Sequence, residues 1–492
     1  MPNRKNVIVF YTDQQRADSL GCMGNSLART PNIDGLAAHG ICYKQHYAAN
    51  PVCMPSRAAF ITGRYPQANG VLDNGVPLPL DQLTMPEVFR QNGYHTACFG
   101  KLHFQTYKSY PDDTSMESMQ RWASGELDDW HGPYYGFDTV EMTSSHGEAC
   151  SGHYGRWRAQ HFPNLKLGPD NAHGNKNFPQ LSSYKSNLPL EAHHSTWVAD
   201  RAIDFLNDYT ADAPFYLHVS FPDPHHPFTP PAPYYSLFDA VLFPPPHAVA
   251  GENDNKPKPY RDAMIGNPFP GDGEARHWPE LAGEAFQQVV AHTCGMVALI
   301  DDCIGRVITK LDQLGLRENT ILVFTSDHGD FLGDHHFLLK GQLPCRSLLH
   351  VPLIIVDPDD GYRAETVDAV GSNIDIMPTL LEWCGLNVPE TVQGVSLPKP
   401  GQTPQREYAF AAGWSKASPL WQHYTIYKQD WRITIFPRLR DGELYDLKDD
   451  PFEHQNLIHN PLYADVRQTL TEELLFAVGD ATPPYPPVVT DW

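Results

Sequence analysis

Val7-Ile8-Val9-Phe10-Tyr11 runs directly into Thr12-Asp13-Gln14, and far downstream Ile321-Leu322-Val323-Phe324 runs into Thr325-Ser326-Asp327-His328-Gly329. Neither run alternates polar with apolar residues, as a half-exposed strand would. Continuous apolar runs of this length mark strands covered on both faces, as in a parallel sheet. Two further runs behave alike: His95 to Phe99 leads to Gly100-Lys101-Leu102-His103, and Phe215 to Phe221 leads to Pro222-Asp223-Pro224-His225-His226. Four strands thus finish in carboxylates, imidazoles or a lysine. Ligands of open α/β sheets bind beyond the carboxyl ends of the strands, so these four clusters are expected to converge.

Working outward, Val289, Met296, Ile300, Ile304, Val307, Leu311 and Leu314 recur at helical spacing just before the Ile321 strand, and Asp301 and Asp302 on that helix are expected on a solvated face. Residues 105 to 190 and the Pro-rich stretch 222 to 280, including Pro244-Pro245-Pro246, read as long surface excursions of the kind that form lids or binding walls. Leu397 to Pro404 reads as a linker. Beyond it, Tyr424 to Tyr427, Trp431 to Phe436 and Glu443 to Leu447 predict a small antiparallel sheet, and Ala464 to Val478 a closing helix. The expected division is residues 1–400 and a C-terminal subdomain of residues 401–492.

The chain has 492 residues, 41% hydrophobic and 19% charged, which is a globular composition. Its 36 Lys+Arg against 58 Asp+Glu give a formal charge of -22, which argues against nucleic acid or anionic lipid as a partner and requires any anion site to be positive only locally. No run approaches the length of a membrane span, and Val7 to Tyr11 is too short for a signal-peptide core, so a cytoplasmic protein is expected. Nine cysteines, scattered from Cys22 to Cys384 without a CxxC pair, fit reduced thiols better than a disulfide framework.

One cysteine needs a separate explanation. Cys53-Met54-Pro55-Ser56-Arg57-Ala58-Ala59-Phe60-Ile61-Thr62-Gly63 opens a helix, with Pro55 in the first turn and Cys53 among the free N–H groups that favour anions. Burial as an inert thiol is the commoner fate of such a residue. The pattern Cys-x-Pro-Ser-Arg-x-x-x-x-Thr-Gly, however, resembles the signature of the type I sulfatases, in which the Cys is oxidised to formylglycine. Gly93 to His103, Ser326 to Asp330 and Leu444 to Leu457 are similar to further segments of that family. The resemblance implies an alkaline-phosphatase-like α/β fold: a central, mostly parallel sheet flanked by helices, plus a small α+β C-terminal subdomain with an antiparallel sheet.

It also implies site roles. Asp13, Gln14, Asp327 and His328 would hold one divalent metal ion together with the formylglycine derived from Cys53. In most arylsulfatases the second position is Asp and the fourth Asn; Gln14 with His328 is similar to the phosphonate monoester hydrolases and choline sulfatases. The added nitrogen ligand suits Mn²⁺ or Zn²⁺ better than an all-oxygen Ca²⁺ cage would. Arg57, Lys101 and His103 would surround the formylglycine hydrate, His225 would contact the ester oxygen or protonate the leaving group, Lys340 would contact the sulfate, and Asn74 resembles a substrate-contacting Asn. His226 is taken as structural, and His335 and His336 as turn residues. The ending Pro483 to Trp492 does not resemble the choline sulfatase tail.

Hydrolysing such an ester requires on the order of 20 kcal/mol of barrier reduction, whereas one acid or base supplies about 3 to 5 kcal/mol from its typical factor. A cation, a covalent nucleophile and several positive groups are needed together. The reading is therefore a hydrolase of sulfate monoesters, with phosphonate monoester or phosphodiester hydrolysis as the alternative chemistry and a catalytically silent binding protein as the alternative class. The complete set of cationic residues argues against silence. Implied partners are a small-molecule ester and, during maturation, a formylglycine-generating enzyme; homo-oligomerisation is left open.

Overall fold

The two runs that end in Asp13 and Asp327 lie side by side at the middle of a sheet. The computed structural model describes residues 4–107, 114–168, 182–265, 276–277, 283–416 and 418–482. Its strands are β1 (Asn6–Thr12), β2 (Ile41–Tyr47), β3 (His95–Lys101), β4 (Thr139–Ser144), β5 (Phe215–Ser220), β6 (Arg276–His277), β7 (Thr320–Ser326), β8 (Phe337–Leu338), β9 (Leu353–Val356) and β10 (Glu365–Ser372), followed by β11 (Ala409–Ser415), β12 (Ser418–Lys428), β13 (Trp431–Phe436) and β14 (Asp441–Asp446). Eight of them form one sheet in the order β10-β2-β9-β7-β1-β5-β3-β4, while β6 and β8 pair separately. β9 runs antiparallel to both neighbours and the other pairings are parallel. The four strands predicted to converge, β7, β1, β5 and β3, are consecutive, and all point the same way.

The uninterrupted apolar runs follow from having helices on both faces. Val7, Val9 and Tyr11 pack with Met54, Ala58, Phe60 and Ile61 of the Cys53–Thr62 helix and with Ile376, Met377 and Leu380 of the Ile376–Trp383 helix. Ile8 and Phe10 face the other way, onto residues of the Pro31–Ala38, His194–Asp208 and Glu284–Gln313 helices. Period-two alternation is present in space, yet it is invisible in sequence because both sides are core.

Two expectations are corrected. Asp301 is not on a solvated face: it is fully buried and accepts N–H bonds from Asn32 (3.1 Å) and Ile33 (2.8 Å). It thus supplies the first turn of the Pro31–Ala38 helix with the acceptor that Thr30 does not provide, and burial pushes its carboxyl up to about 6. Asp302 is exposed, as expected, and accepts from the Tyr234 hydroxyl at 2.6 Å. The stretch 105 to 190 is not wholly a surface excursion either, since β4 joins the sheet edge beside β3. Its sequence Thr-Val-Glu-Met-Thr-Ser alternates polar with apolar residues and lacks the apolar run that marked the central strands.

Beyond residue 400, β11 to β14 form an antiparallel sheet covered by the Ala464–Ala481 helix. β11, rich in small residues, was not foreseen. This sheet rests on the first part of the chain through Phe410, Ala412 and Ile426, which share a core with Ala49, Ala59 and Tyr65. Inside it the buried Arg432 meets Glu443 at 3.3 Å and Glu453 at 2.7 Å. The ending Pro483 to Trp492 lies outside the described residues, and among those described no helix is long and apolar enough to cross a membrane.

Replacing Asp301 by Ala leaves two helix N–H groups without their acceptor, which costs about 1–3 kcal/mol. Asp301→Ala should therefore lower the denaturant midpoint measurably, and by more than Asp302→Ala, which gives up a single bond from the Tyr234 hydroxyl worth about 0.5–1.5 kcal/mol. Equal effects would contradict the assignment.

Candidate active site

Cys53 is placed by the turn that follows β2. Asn50 accepts the Val52 N–H through Oδ1 (2.9 Å) and donates through Nδ2 to the Ala412 carbonyl (2.7 Å). This fixes the entry into the Cys53–Thr62 helix, all of whose residues are buried. Asn74 Oδ1 accepts the Met54 N–H at 2.9 Å, within the first turn. The helix stops at Gly63, whose φ of 62° is left-handed and whose missing Cβ would sit 2.9 Å from Val392. On β3, Gly100 has a φ of 106°, and a Cβ there would fall 1.9 Å from the Ser220 carbonyl oxygen. Only glycine lets β3 approach β5 closely enough to deliver Lys101.

Arg57, one turn after Cys53, is 1% exposed and reaches all four strand ends. Its Nε donates to Asp327 Oδ2 (2.8 Å), Nη2 lies 3.2 Å from Asp13 Oδ2, and Nη1 donates to the Lys101 carbonyl (3.0 Å) and Ser220 Oγ (3.2 Å). Ser56 Oγ donates to the Asp327 carbonyl. Ser56 and Arg57 of the Cys-x-Pro-Ser-Arg pattern therefore bind the ends of the sheet, while Cys53 faces the space between them.

Around that space, single ligand atoms of Asp13, Cys53, Asp327 and His328 all lie within 4.8 Å of one another and all four residues are buried. Cys53 Sγ is 3.2 Å from His328 Nε2 and 3.8 Å from Asp13 Oδ1. His328 Nε2 is 3.7 Å from Asp327 Oδ1 and 3.8 Å from Asp13 Oδ1. The other imidazole nitrogen, Nδ1, lies 2.8 Å from the Gly329 carbonyl oxygen. A carbonyl can only accept, so Nδ1 carries a proton and Nε2 faces the two carboxylates; burial opposes a second proton there while Asp327 favours it, and a metal ion at Nε2 would take its place. The donor set fits one divalent cation.

The opposite wall is cationic. Lys101 Nζ contacts Asp13 Oδ2 and His146 Nε2, the latter at 2.5 Å. The His146 ring stacks on His225 with centroids 3.5 Å apart, and His225 Nε2 contacts Lys340 Nζ. Lys340 donates to Gln14 Oε1 at 2.8 Å, while Gln14 Nε2 contacts Asp330 Oδ2 and His226 Nδ1. Burial opposes the charge on Asp13, yet Lys101, Arg57, Lys340 and His146 hold its carboxyl well below the usual range. Burial, reinforced by the neighbouring cations and rings, pushes His146 and His225 well below theirs, so both imidazoles are neutral. Burial and Asp13 oppose ionisation of the Cys53 thiol, but Lys101, Lys340 and His328 bring it down.

Asp13, Cys53, Arg57, Lys101, His225, Asp327, His328 and Lys340 thus meet at the carboxyl ends of the strands. Gln14 is beside them with its amide oxygen on Lys340. His103 stands nearby, its ring stacked on Tyr107 with centroids 4.0 Å apart and its backbone N–H donating to Glu117 Oε2 at 2.7 Å. Glu117, which also accepts from Phe104 (2.8 Å) and Gln105 (3.0 Å), is pushed up to about 7 by burial. His335 sits in a short turn, as expected, against Glu252 at 2.8 Å. Sequence reasoning missed His146, Glu117 and Asp330, and it set His226 aside although that ring touches Gln14. His146 follows a strand end just as His103 and His225 do; recognising β4 would have found it.

A family model described as Sulfatase matches residues 5–386, and one described as N-sulphoglucosamine sulphohydrolase, C-terminal, matches residues 333–478. An arylsulfatase of Clostridium perfringens (strain 13 / Type A) is 29% identical over 483 residues, 96% of this chain and 94% of that protein. A multifunctional alkaline phosphatase superfamily protein of Trinickia caryophylli is 29% identical over 519 residues, 96% of this chain and 95% of that protein. The crystal structure of the phosphonate monoester hydrolase of Agrobacterium radiobacter superposes with a TM-score of 0.78 at 25% identity, covering 97% of this chain and 96% of that one.

Changing Asp327 to Asn keeps the shape and removes a charge from the ligand cluster. Outer-shell changes at metal sites typically cost 10–100-fold in affinity, so loss of a ligand charge should cost more than about 100-fold. Metal titration of the Asp327→Asn variant reads this directly, and undiminished affinity would contradict the cluster as the ion site.

Proposed function

The chain belongs to the sulfatase family of the alkaline phosphatase superfamily and is a sulfuric ester hydrolase; from that premise we propose that it cleaves sulfate monoesters through formylglycine formed from Cys53, beside one divalent ion. The observation that carries the proposal is the place of Cys53, at the start of a buried helix, with Sγ 3.2 Å from His328 Nε2 and 3.8 Å from Asp13 Oδ1. Asp13, Asp327 and His328 would hold the ion, with Gln14 completing the set and the residue 53 side chain reaching it. Bound there, a divalent ion supplies Lewis acidity that favours the ionised form of a nucleophile next to it. Hydrated formylglycine supplies a hydroxyl nucleophile and, by re-forming its aldehyde, a route for product release that a thiol lacks.

The chain's own groups do the rest. Arg57 fixes Asp13 and Asp327 and so the spacing of the ion ligands. Lys101 and Lys340 sit on either side of the His146–His225 stack, where they can offset charge on the sulfuryl oxygens. His225 Nδ1 faces the His226 carbonyl oxygen and must donate to it, so Nε2 accepts from Lys340. The proton available to a departing alcohol therefore resides on the Lys340–His225 pair, and proton transfer from such a positioned group is worth about 10²–10⁴ in rate. Asn74, held against the Met54 N–H, would contact the substrate, and His103, stacked on Tyr107, would stand beside the formylglycine hydrate with Lys101.

Phosphonate monoester or phosphodiester hydrolysis is the second reading, favoured by the nitrogen ligand His328, by Gln14, and by the likeness to a phosphonate monoester hydrolase. An imidazole ligand suits Mn²⁺ or Zn²⁺, and Ca²⁺ remains a candidate ion. A formylglycine-generating enzyme is the maturation partner this reading needs. All nine cysteines are free, which fits a reducing compartment such as the cytoplasm.

Sulfate and phosphonate monoesters carry one negative charge and phosphate monoesters two. A compact cationic centre in a chain of net charge -22 should disfavour the dianion. Specificity constants for matched aryl esters should rank the sulfate first; the phosphonate first would favour the second reading, and the phosphate monoester first would contradict both. Lys340→Ala should lower kcat by the equivalent of about 2.7–4 kcal/mol, as loss of an oxyanion donor does, and an unchanged kcat would remove Lys340 from the reaction.

A further inference from the structure

Three sulfur atoms collect on the far side of the Asp13 loop, outside the site described above. Cys22 and Met23 belong to the short turn Gly21–Met23, and Cys42 lies on β2. Cys42 Sγ is 3.6 Å from Met23 Sδ, and the Cys22 and Cys42 thiols share a hydrogen bond. Lys44, two residues along β2 and so on the same face, donates to the Cys22 carbonyl (2.6 Å) and has its Nζ 3.8 Å from Met23 Sδ. Asp34 Oδ1 accepts the Cys22 N–H at 2.7 Å and fixes the turn. Cys42 is buried, while Cys22 and Met23 are half-buried. Met23 also lines a cleft of about 570 Å³ between Arg16, Asn25, His350 and Phe452, which gives an approach from solvent.

We propose that Cys22, Met23 and Cys42 form a binding site for one soft, thiophilic monovalent cation, with Cu(I) as the reference ion. Thiolate and thioether sulfurs select soft ions over the hard divalent cations expected at Asp13 and Asp327. Metal–sulfur bonds of about 2.3 Å in a trigonal set place the sulfurs about 4 Å apart, close to the 3.6 Å between Cys42 Sγ and Met23 Sδ. Binding deprotonates both thiols and releases two protons; two thiolates, a neutral thioether and a monovalent ion sum to one negative charge. Lys44 is placed to offset it. The hydrogen bond from Cys22, working with Lys44 against burial, brings the Cys42 thiol down to about 7, while the same bond and burial push the Cys22 thiol up, so the incoming ion must itself displace the Cys22 proton. Nothing here depends on residue 53 or on the ester.

Anaerobic titration with Cu(I) against a chromogenic Cu(I) chelator tests the site. Cys22→Ser and Cys42→Ser should each bind one tight equivalent fewer than the parent, and Met23→Leu should weaken that equivalent at least tenfold. Cys384→Ser, a change at a half-buried cysteine elsewhere, should bind as the parent does. Cys53 is common to all the proteins compared and cancels. If Cys42→Ser does not fold, the half-buried Cys22→Ser carries the test by itself. Unchanged stoichiometry in Cys22→Ser, an equal loss in Cys384→Ser, or an unweakened Met23→Leu would overturn the proposal.

Discussion

The buried guanidinium of Arg57 is the interaction on which the rest of the structure depends. Removing a cation from water costs several kcal/mol, and the cost is offset only by well-formed partners. Here those partners are the carboxylates of Asp13 and Asp327, the Lys101 carbonyl and the Ser220 hydroxyl, one from each of four adjacent strand ends. Because Arg57 projects from the helix that begins at Cys53, the residue that binds the sheet ends together also sets where Cys53 stands. Fold and site are joined through one side chain.

The same constraint shapes the electrostatics. The chain is acidic as a whole, yet Arg57, Lys101 and Lys340 converge within a small volume lined by Asp13 and Asp327. Burial and nearby cations keep His146 and His225 neutral, so they act as hydrogen-bonding groups beside lysines instead of adding charge. The result is a centre with alternating sign: anionic where a metal ion would sit, cationic where the oxygens of a transferred group would lie. Such preorganised charge is the largest single contribution to many enzymatic rate enhancements.

Much of this was legible in the sequence for a simple reason. Strands covered on both faces must be continuously apolar, so β1 and β7 announced themselves, and the polar residues at their ends had to meet. The Cys-x-Pro-Ser-Arg pattern then located the helix that faces them. What escaped obeys other rules. β4 is a short edge strand that mixes polar with apolar residues, so neither it nor His146 beyond its end stood out. Asp301 follows helical periodicity onto what looks like a polar face, but its carboxylate caps a second helix distant in sequence. Glu117 works through backbone N–H groups, which leave no trace in residue types.

The central claim is that chemistry at residue 53, made reactive by its surroundings, carries the hydrolysis. Peptide mass spectrometry of residue 53, run on preparations made with increasing amounts of a formylglycine-generating enzyme and paired with ester hydrolysis rates, tests it most directly. The account predicts that the Cys53 thiol is replaced by an aldehyde, and that specific activity rises in proportion to the converted fraction from a near-zero intercept. Full activity in a preparation whose Cys53 is wholly unmodified would contradict it.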